Sequence, residues 1–378
     1  MKLIMPIVII LVYIDSLAAD TQTRAYEAIA TDSVHQSRYV GKGVNMVAAS
    51  LQAINRCEAA HTPQKCEITR IGSTAIATAQ EIKANIGPNT PLMMWQNKNR
   101  RSQISIVGSV HSLKATLLPL PDPIDQAFEQ SSHVVVETNV LQADDGSTSR
   151  AWLVDQLTLA PEQSLRSMLN DRNFEQLQKI LRNTGLKFET LDRLKPAFAA
   201  TNIVNARLDA FGFSRKWGME QQFLERADFR TIVSLETTKQ QITLLAQTAM
   251  EIQLRILSES LVSDTELESM VTSLVSAWWH GDDVAIENSF QDDSENSEAY
   301  ENFQRNLLDK RNFQMADKII ELLDVPGHYF VLIGAAHLIG SNSIINILQE
   351  RGITLQRVAN DGSIQLNENL MSKEKYES

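Results

Sequence analysis

The sequence predicts a mixed α/β fold with a mostly parallel central sheet and many helices. Three observations carry this. A β-branched run, 103–107, and a second strand-like run, 328–333, each close on a glycine. A strand, helix, strand order follows the first, as in a parallel βαβ unit. Between the two runs, Leu244, Leu245, Ile252, Ile256 and Leu257 recur at helical spacing.

The chain of 378 residues allows one large domain or two ordinary ones. Its formal net charge of −11 repels a polyanion. The short basic run 98–101 is too small to reverse that, so nucleic acid is excluded as a partner.

The first residues predict export. Lys2 precedes a largely apolar run over 3–14, then Ser16-Leu17-Ala18-Ala19. A positive end, a short apolar run and a small-x-small site make a signal peptide. We assign it to 1–18, with cleavage after Ala18 and Ala19 as the second choice. The rival is an uncleaved anchor, although the run is short of the ~20 residues of a membrane span. No Cys lies near the cleavage site, which argues against a lipoprotein. No later segment is apolar enough to span, so no stable membrane span is expected after cleavage. The expected location is periplasmic or secreted.

Residues 19–90 read as an N-terminal helical extension, with helical stretches at 44–54 and 75–86. The two cysteines, Cys57 and Cys66, both fall within it. In an oxidising compartment an isolated pair closing a short loop is a disulfide candidate, and two unpaired thiols are the alternative. His61 lies between them, but a Cys-His-Cys zinc site would lack a fourth ligand.

Gly87-Pro88-Asn89-Thr90-Pro91 is a break, and the main domain is placed at 91–360. Strands are expected at 103–107 and 132–137, with a helix over 121–130 between them. The middle is mostly helical. It has a strand at 229–235, one long helix over 237–280, an exposed acidic connection over 282–296 and a second long helix over 294–324. A strand at 328–333, a helix at 343–350 and a strand at 353–358 close the domain. The polar tail, 361–378, is expected to be disordered.

One internal echo stands out. Ile104-Ser105-Ile106-Val107-Gly108-Ser109-Val110-His111 matches Phe330-Val331-Leu332-Ile333-Gly334-Ala335-Ala336-His337. If both strands lie in one sheet, both histidines emerge at its carboxyl edge, where open α/β sheets place their ligands.

A neutral imidazole at a rigid strand end suits a metal ligand or a general base. The alternative is two buried structural histidines, which the repetition disfavours. Glu137 ends the 134–136 valine run, and burying an unpaired carboxylate is costly. Glu236 repeats that logic, with a helix-dipole role as its alternative. Two His and two Glu at one edge suit a divalent transition metal that activates water. The chain has no His-Glu-x-x-His, no Gly-x-Ser-x-Gly, no Walker A loop and no Gly-x-Gly-x-x-Gly. His280 reads as part of a packed helix end. His133 and His328 begin strands at the opposite edge and read as structural.

These blocks resemble the TraB/PrgY/GumN family, which includes the Tiki metalloproteases, over roughly 91–358. Trp95 and Gly108-Ser109-Val110-His111 resemble its opening block, and Pro119-Leu120-Pro121 through Val136-Glu137 its second. Gly218-Met219-Glu220, Leu235-Glu236-Thr237 with Gln240 or Gln241, Gly281-Asp282, Arg311-Asn312 with Met315, and Gly334-Ala335-Ala336-His337-Leu338 with Gly340 resemble the rest. Glu220 stands where the family usually has Asp, and Ser109 where Thr is common.

The resemblance implies a fold similar to the erythromycin-esterase and ChaN-like group and metal-dependent peptidase activity on a peptide or protein. His111, His337 and Glu137 would hold manganese, cobalt or zinc. Glu220 or Glu236 would serve as a further ligand or general base. Arg311 would stabilise an oxyanion, with Asn312 orienting a ligand; the alternative for Arg311 is a salt bridge to one of the glutamates. The competing function is a non-catalytic haem- or small-ligand-binding protein using the same cleft.

Overall fold

A computed structural model describes residues 26–98, 102–141, 148–290, 302, 303 and 305–365. The signal peptide expected at 1–18 lies outside these residues.

The main sheet has six strands. In chain order they are β5 (Pro91–Lys98), β6 (Ser102–Ser109), β7 (His133–Val136), β8 (Thr231–Ser234), β9 (Gly327–Gly334) and β10 (Gln356–Ala359). Their order across the sheet is β10-β5-β6-β9-β7-β8. The pairs β6–β9, β9–β7 and β7–β8 are parallel, whereas β5 pairs antiparallel with both β6 and β10. The sheet is therefore mixed with a parallel core, as expected. β9, the last strand but one in the chain, lies between β6 and β7, so the expected βαβ neighbours are not adjacent. Strand β9 is apolar on both faces because neighbours and helices cover it on every side; Phe330 to Gly334 are all buried.

The segment before β5 corrects the expectation of a helical extension. It forms a four-stranded antiparallel sheet of β1 (Tyr26–Asp32), β2 (Arg38–Gly43), β3 (Cys66–Ile71) and β4 (Thr74–Ala75), in the order β2-β1-β3-β4. One full helix, Met46–Glu58, packs on it, and the helix expected at 75–86 is a single turn, Ala79–Ile82. The misreading has a physical source. Ala28, Ala30, Ala49 and Ala53 are all fully buried between helix and sheet. A Cβ at Gly41 would lie 2.1 Å from the Ala49 carbonyl oxygen. Alanine and glycine permit this close approach, yet alanine in isolation reads as a helix former. Cys57 and Cys66 form a disulfide between the end of that helix and the start of β3.

The long helix expected over 237–280 is three helices, Thr238–Ala246, Met250–Ser260 and Asp264–Trp279. Side-chain caps at Thr237 and Ser263 start two of them, because their hydroxyls accept from otherwise unpaired backbone N–H groups. The acidic connection includes a helix, Asp283–Phe290, that buries Ile286 and Phe290. Of the helix expected over 294–324, Lys310–Leu323 is described, preceded by a π turn, Arg305–Asp309. The start of the expected tail is tied down: Asn360 N–H donates to Thr90 O and Asp361 N–H to Pro88 O, both at 2.9 Å.

The main sheet and the N-terminal unit share one apolar core. The helices between β7 and the end of the middle region bury a second, around Leu177, Ile203 and Ile256. Among the described residues no helix is long and apolar enough to cross a membrane.

Candidate functional site

The four parallel strands run their carboxyl ends out side by side. In spatial order β6, β9, β7 and β8, the chain just beyond each carries His111, His337, Glu137 and Glu236. All four are buried, and His337 has no exposed surface. Two further elements close the edge. Helix Met219–Glu225 brings Glu220, and helix Lys310–Leu323 brings Arg311 and Asn312. All seven residues singled out in the sequence therefore meet at one sheet edge.

Each histidine is held from its Nδ1 side. His337 Nδ1–H donates to Asn312 Oδ1 at 2.5 Å, and Asn312 Nδ2 donates to Asn342 O at 2.7 Å, which orients the amide. His111 Nδ1 lies 2.8 Å from Glu220 Oε1, a charge contact poorly aligned as a hydrogen bond. Ser109 Oγ–H also donates to Glu220 Oε1. On the other side of each ring, Nε2 is buried and has no partner. His337 Nε2 lies 3.9 Å from Glu137 Oε2.

The carboxylates are held by a single cation and a backbone amide. Arg311 Nε donates to Glu236 Oε1 at 2.8 Å, and Arg311 Nη2 donates to Glu236 Oε2 at 2.6 Å and to Glu137 Oε2 at 2.8 Å. The other Glu137 oxygen, Oε1, accepts from Gly334 N–H at 2.6 Å. The expected general base at Glu236 and the expected oxyanion donor at Arg311 are thus each other's partners. A forked guanidinium binds a carboxylate this way when both are removed from water.

The two histidines titrate in opposite directions. Burial works against a charge on His111, but the Glu220 carboxylate outweighs it and raises the pKa above 6.5. Burial likewise opposes the Glu220 charge, but His111 and the Ser109 hydroxyl hold its pKa below the usual value. Burial, reinforced by the Arg311 charge, drives His337 well below 6.5. Burial also opposes the Arg311 charge, and its hydrogen bonds to Glu236 with the charge of Glu137 hold it firmly protonated.

A buried imidazole anchored through Nδ1 with Nε2 left bare is the usual state of a metal-ligating histidine. His337 meets that description, with Nε2 3.9 Å from Glu137 Oε2, and the buried, unpartnered Nε2 of His111 on the adjacent strand adds a donor of the kind that a divalent transition metal takes. The expected fourth ligand, Glu220, is engaged by His111 and Ser109 instead. Among the described residues these side chains do not form a ready cluster of three donors within 4.8 Å, so loading such a metal requires them to draw inward.

Sequence reasoning assigned no role to Ser109, to the Gly334 amide or to Trp278. Trp278 Nε1–H donates to Gly108 O at 2.7 Å, which pins the first Gly-x-x-His turn. The indole came from a helix read as mere packing, and only its position reveals the contact. His280 does pack at a helix end, where its ring nitrogens reach Ser276 O and Ala84 O.

The model of the TraB/PrgY/gumN family matches residues 93–357. Two curated relatives, each described as "Uncharacterized protein YbaP", are similar to the chain. The one from Shigella flexneri is 22% identical over 66% of this chain and 89% of its own length. The one from Escherichia coli (strain K12) is 21% identical over 65% and 87%. No solved structure matches the chain significantly.

Proposed function

From a chain that belongs to the TraB/PrgY/gumN family, we propose a metal-dependent hydrolase acting on a peptide or protein outside the cytoplasm. The observation that carries the metal is the pair of buried, unpartnered Nε2 atoms at the ends of adjacent parallel strands.

His111, His337 and Glu137 would hold the metal. Bound there, a divalent transition metal would lower the pKa of water and polarise a scissile carbonyl. Glu220 contacts the His111 ring at Nδ1, and Asn312 accepts from Nδ1 of His337, which leaves each Nε2 free for a ligand. Arg311, clamped by Glu236, also donates to Glu137 Oε2 and fixes that carboxylate in place. The Glu220 carboxylate raises the His111 pKa, and metal would bind only the deprotonated ring, so acid would compete with loading.

Two features support the setting. The first residues have the pattern of a signal peptide, and a disulfide joins Cys57 to Cys66, a bond that persists in oxidising compartments. The haem-binding alternative is less well supported, because a macrocycle would need a site that is closed over His337 to open.

The test is calorimetric titration of manganese, cobalt and zinc into the tag-free, metal-stripped chain, followed by a peptide-library screen. Loss of one equivalent of tight binding in His111→Ala and in His337→Ala is expected. Peptide cleavage that survives both substitutions would refute the reading, as would metal binding unchanged by either.

A further inference from the structure

A second set of metal-ligating side chains lies on the N-terminal sheet, outside the strand-end site. Asp32, His35 and His61 bring donor atoms within 4.8 Å of one another. Asp32 ends β1 and its side chain has no exposed surface. Its Oδ1 accepts from Val34 N–H at 3.1 Å and its Oδ2 from His35 N–H at 2.8 Å. Oδ2 also faces both imidazoles, with His35 Nδ1 at 2.9 Å and His61 Nε2 at 3.9 Å.

The turn from β1 to β2 needs the aspartate alone. The backbone N–H at position 35 satisfies it whatever the side chain, so an imidazole there, and another at 61, exceed what the turn requires. His61 arrives from a different element. It follows helix Met46–Glu58, its N–H donates to Cys57 O at 3.0 Å, and Cys57 is bonded to Cys66. Cys66 is in turn the register partner of Asp32. The disulfide therefore ties the segment carrying His61 to the strand carrying Asp32. The side chain of His61 is mostly buried, and Tyr39 OH lies 2.8 Å from its Nε2. The His35 and His61 ring centroids stand 5.9 Å apart.

We propose that Asp32 Oδ2, His35 Nδ1 and His61 Nε2 bind a second divalent transition metal, Zn2+ or Cu2+, in a surface site separate from the strand-end histidines. Tetrahedral ligands at Zn2+ bond lengths stand roughly 3.3 Å apart. The 2.9 and 3.9 Å separations from Oδ2 bracket that value, so small ring rotations complete the shell. Two imidazoles and a carboxylate are the donors that these borderline ions prefer. The His35 side chain is 65% exposed, so the remaining position faces solvent. In binding, His35 Nδ1 exchanges its proton for the metal and His61 Nε2 exchanges its Tyr39 hydrogen bond. The bound ion clips the β1–β2 turn to the loop between the cysteines. The cysteine sulfurs, joined to each other, take no part as ligands.

The experiment titrates Zn2+ into the tag-free full chain carrying His111→Ala and His337→Ala, by calorimetry, with thermal melts alongside. One equivalent bound, with Tm raised by Zn2+, is expected. Adding His35→Ala, a change at an exposed side chain, should weaken binding roughly tenfold or more and abolish the Tm shift. In the otherwise native chain the same single change should remove one equivalent, whatever the strand-end histidines do. Zn2+ binding that persists through both His35→Ala and His61→Gln overturns the proposal. So does a native chain whose Zn2+ stoichiometry and Tm shift His35→Ala leaves unchanged.

Discussion

His337 and Glu137 come from opposite halves of the chain, yet His337 Nε2 stands 3.9 Å from Glu137 Oε2. They leave neighbouring parallel strands, β9 and β7, whose register pairs Leu332 with Val136. The imidazole is neutral, because burial and Arg311 lower its pKa, and its Nδ1 proton is committed to Asn312. The lone pair on Nε2 therefore faces a carboxylate, an arrangement that a cation would relieve.

Arg311→Ala should destabilise the protein by about 3–5 kcal/mol, because it strands two buried carboxylates. Glu236→Gln added to that variant should recover part of the loss. Chemical denaturation with chelator present measures both. A loss below about 1 kcal/mol would mean that Glu137 and Glu236 reach water once the guanidinium is gone.

Asn312→Ala should weaken metal binding at the strand ends by about 10- to 100-fold, since the His337 ring loses the acceptor that orients it. Asn312→Asp supplies an acceptor at the same place and should retain most of the affinity. Equal loss in both variants would count against an orienting role.

The combined contribution of His111 and His337 to the stability of the metal-free protein should peak near the ordinary histidine pKa of 6.5. His337 has a lowered folded pKa, so the unfolded chain binds the extra proton and stability falls as pH drops below 6.5. His111 has a raised folded pKa, so the folded protein holds the extra proton and its contribution is lost as pH rises above 6.5 towards that value. His337→Gln should flatten the acid limb, and His111→Gln the alkaline one. Denaturation midpoints across pH, in chelator, decide this; parallel curves for wild type and both variants would refute it.

Gly218→Ala should cost about 1–3 kcal/mol or more, as overpacking does. A Cβ there would lie 2.0 Å from the His111 carbonyl oxygen, and backbone cannot step aside as a side-chain tip can. Met219 N–H donates to Val110 O at 3.1 Å, so the same strain should displace the His111 turn. Reduced metal affinity alongside the stability loss is expected, and an unchanged Tm would contradict the packing.

Much of the site was legible in the chain because strand ends advertise themselves. The runs before Gly108 and Gly334 are rich in β-branched, aromatic and other apolar residues, and a histidine three residues past each glycine is a short-range pattern. Glu137 and Glu236 were legible for the same reason, as charges directly after buried strands. Ser109, the Gly334 amide and Trp278 were not, since a hydroxyl, a backbone N–H and a helical indole carry no local mark of their partner. The N-terminal sheet was misread because Ala28, Ala30, Ala49 and Ala53 serve close packing, and small size there looks like helix propensity.

The chain's local patterns settled the α/β class, the two strand-Gly-x-x-His units and the residue types at the sheet edge. These rest on period and composition, which act over a few neighbours. Long-range pairing settled the rest. Insertion of β9 between β6 and β7 put His337 beside both His111 and Glu137. Packing of helix Lys310–Leu323 over the edge turned Arg311 into the partner of two glutamates. Burial with the Arg311 charge lowered the His337 pKa there, whereas the Glu220 carboxylate outweighed burial at His111. Such outcomes depend on which charges share one desolvated space, and only the folded chain brings those charges together.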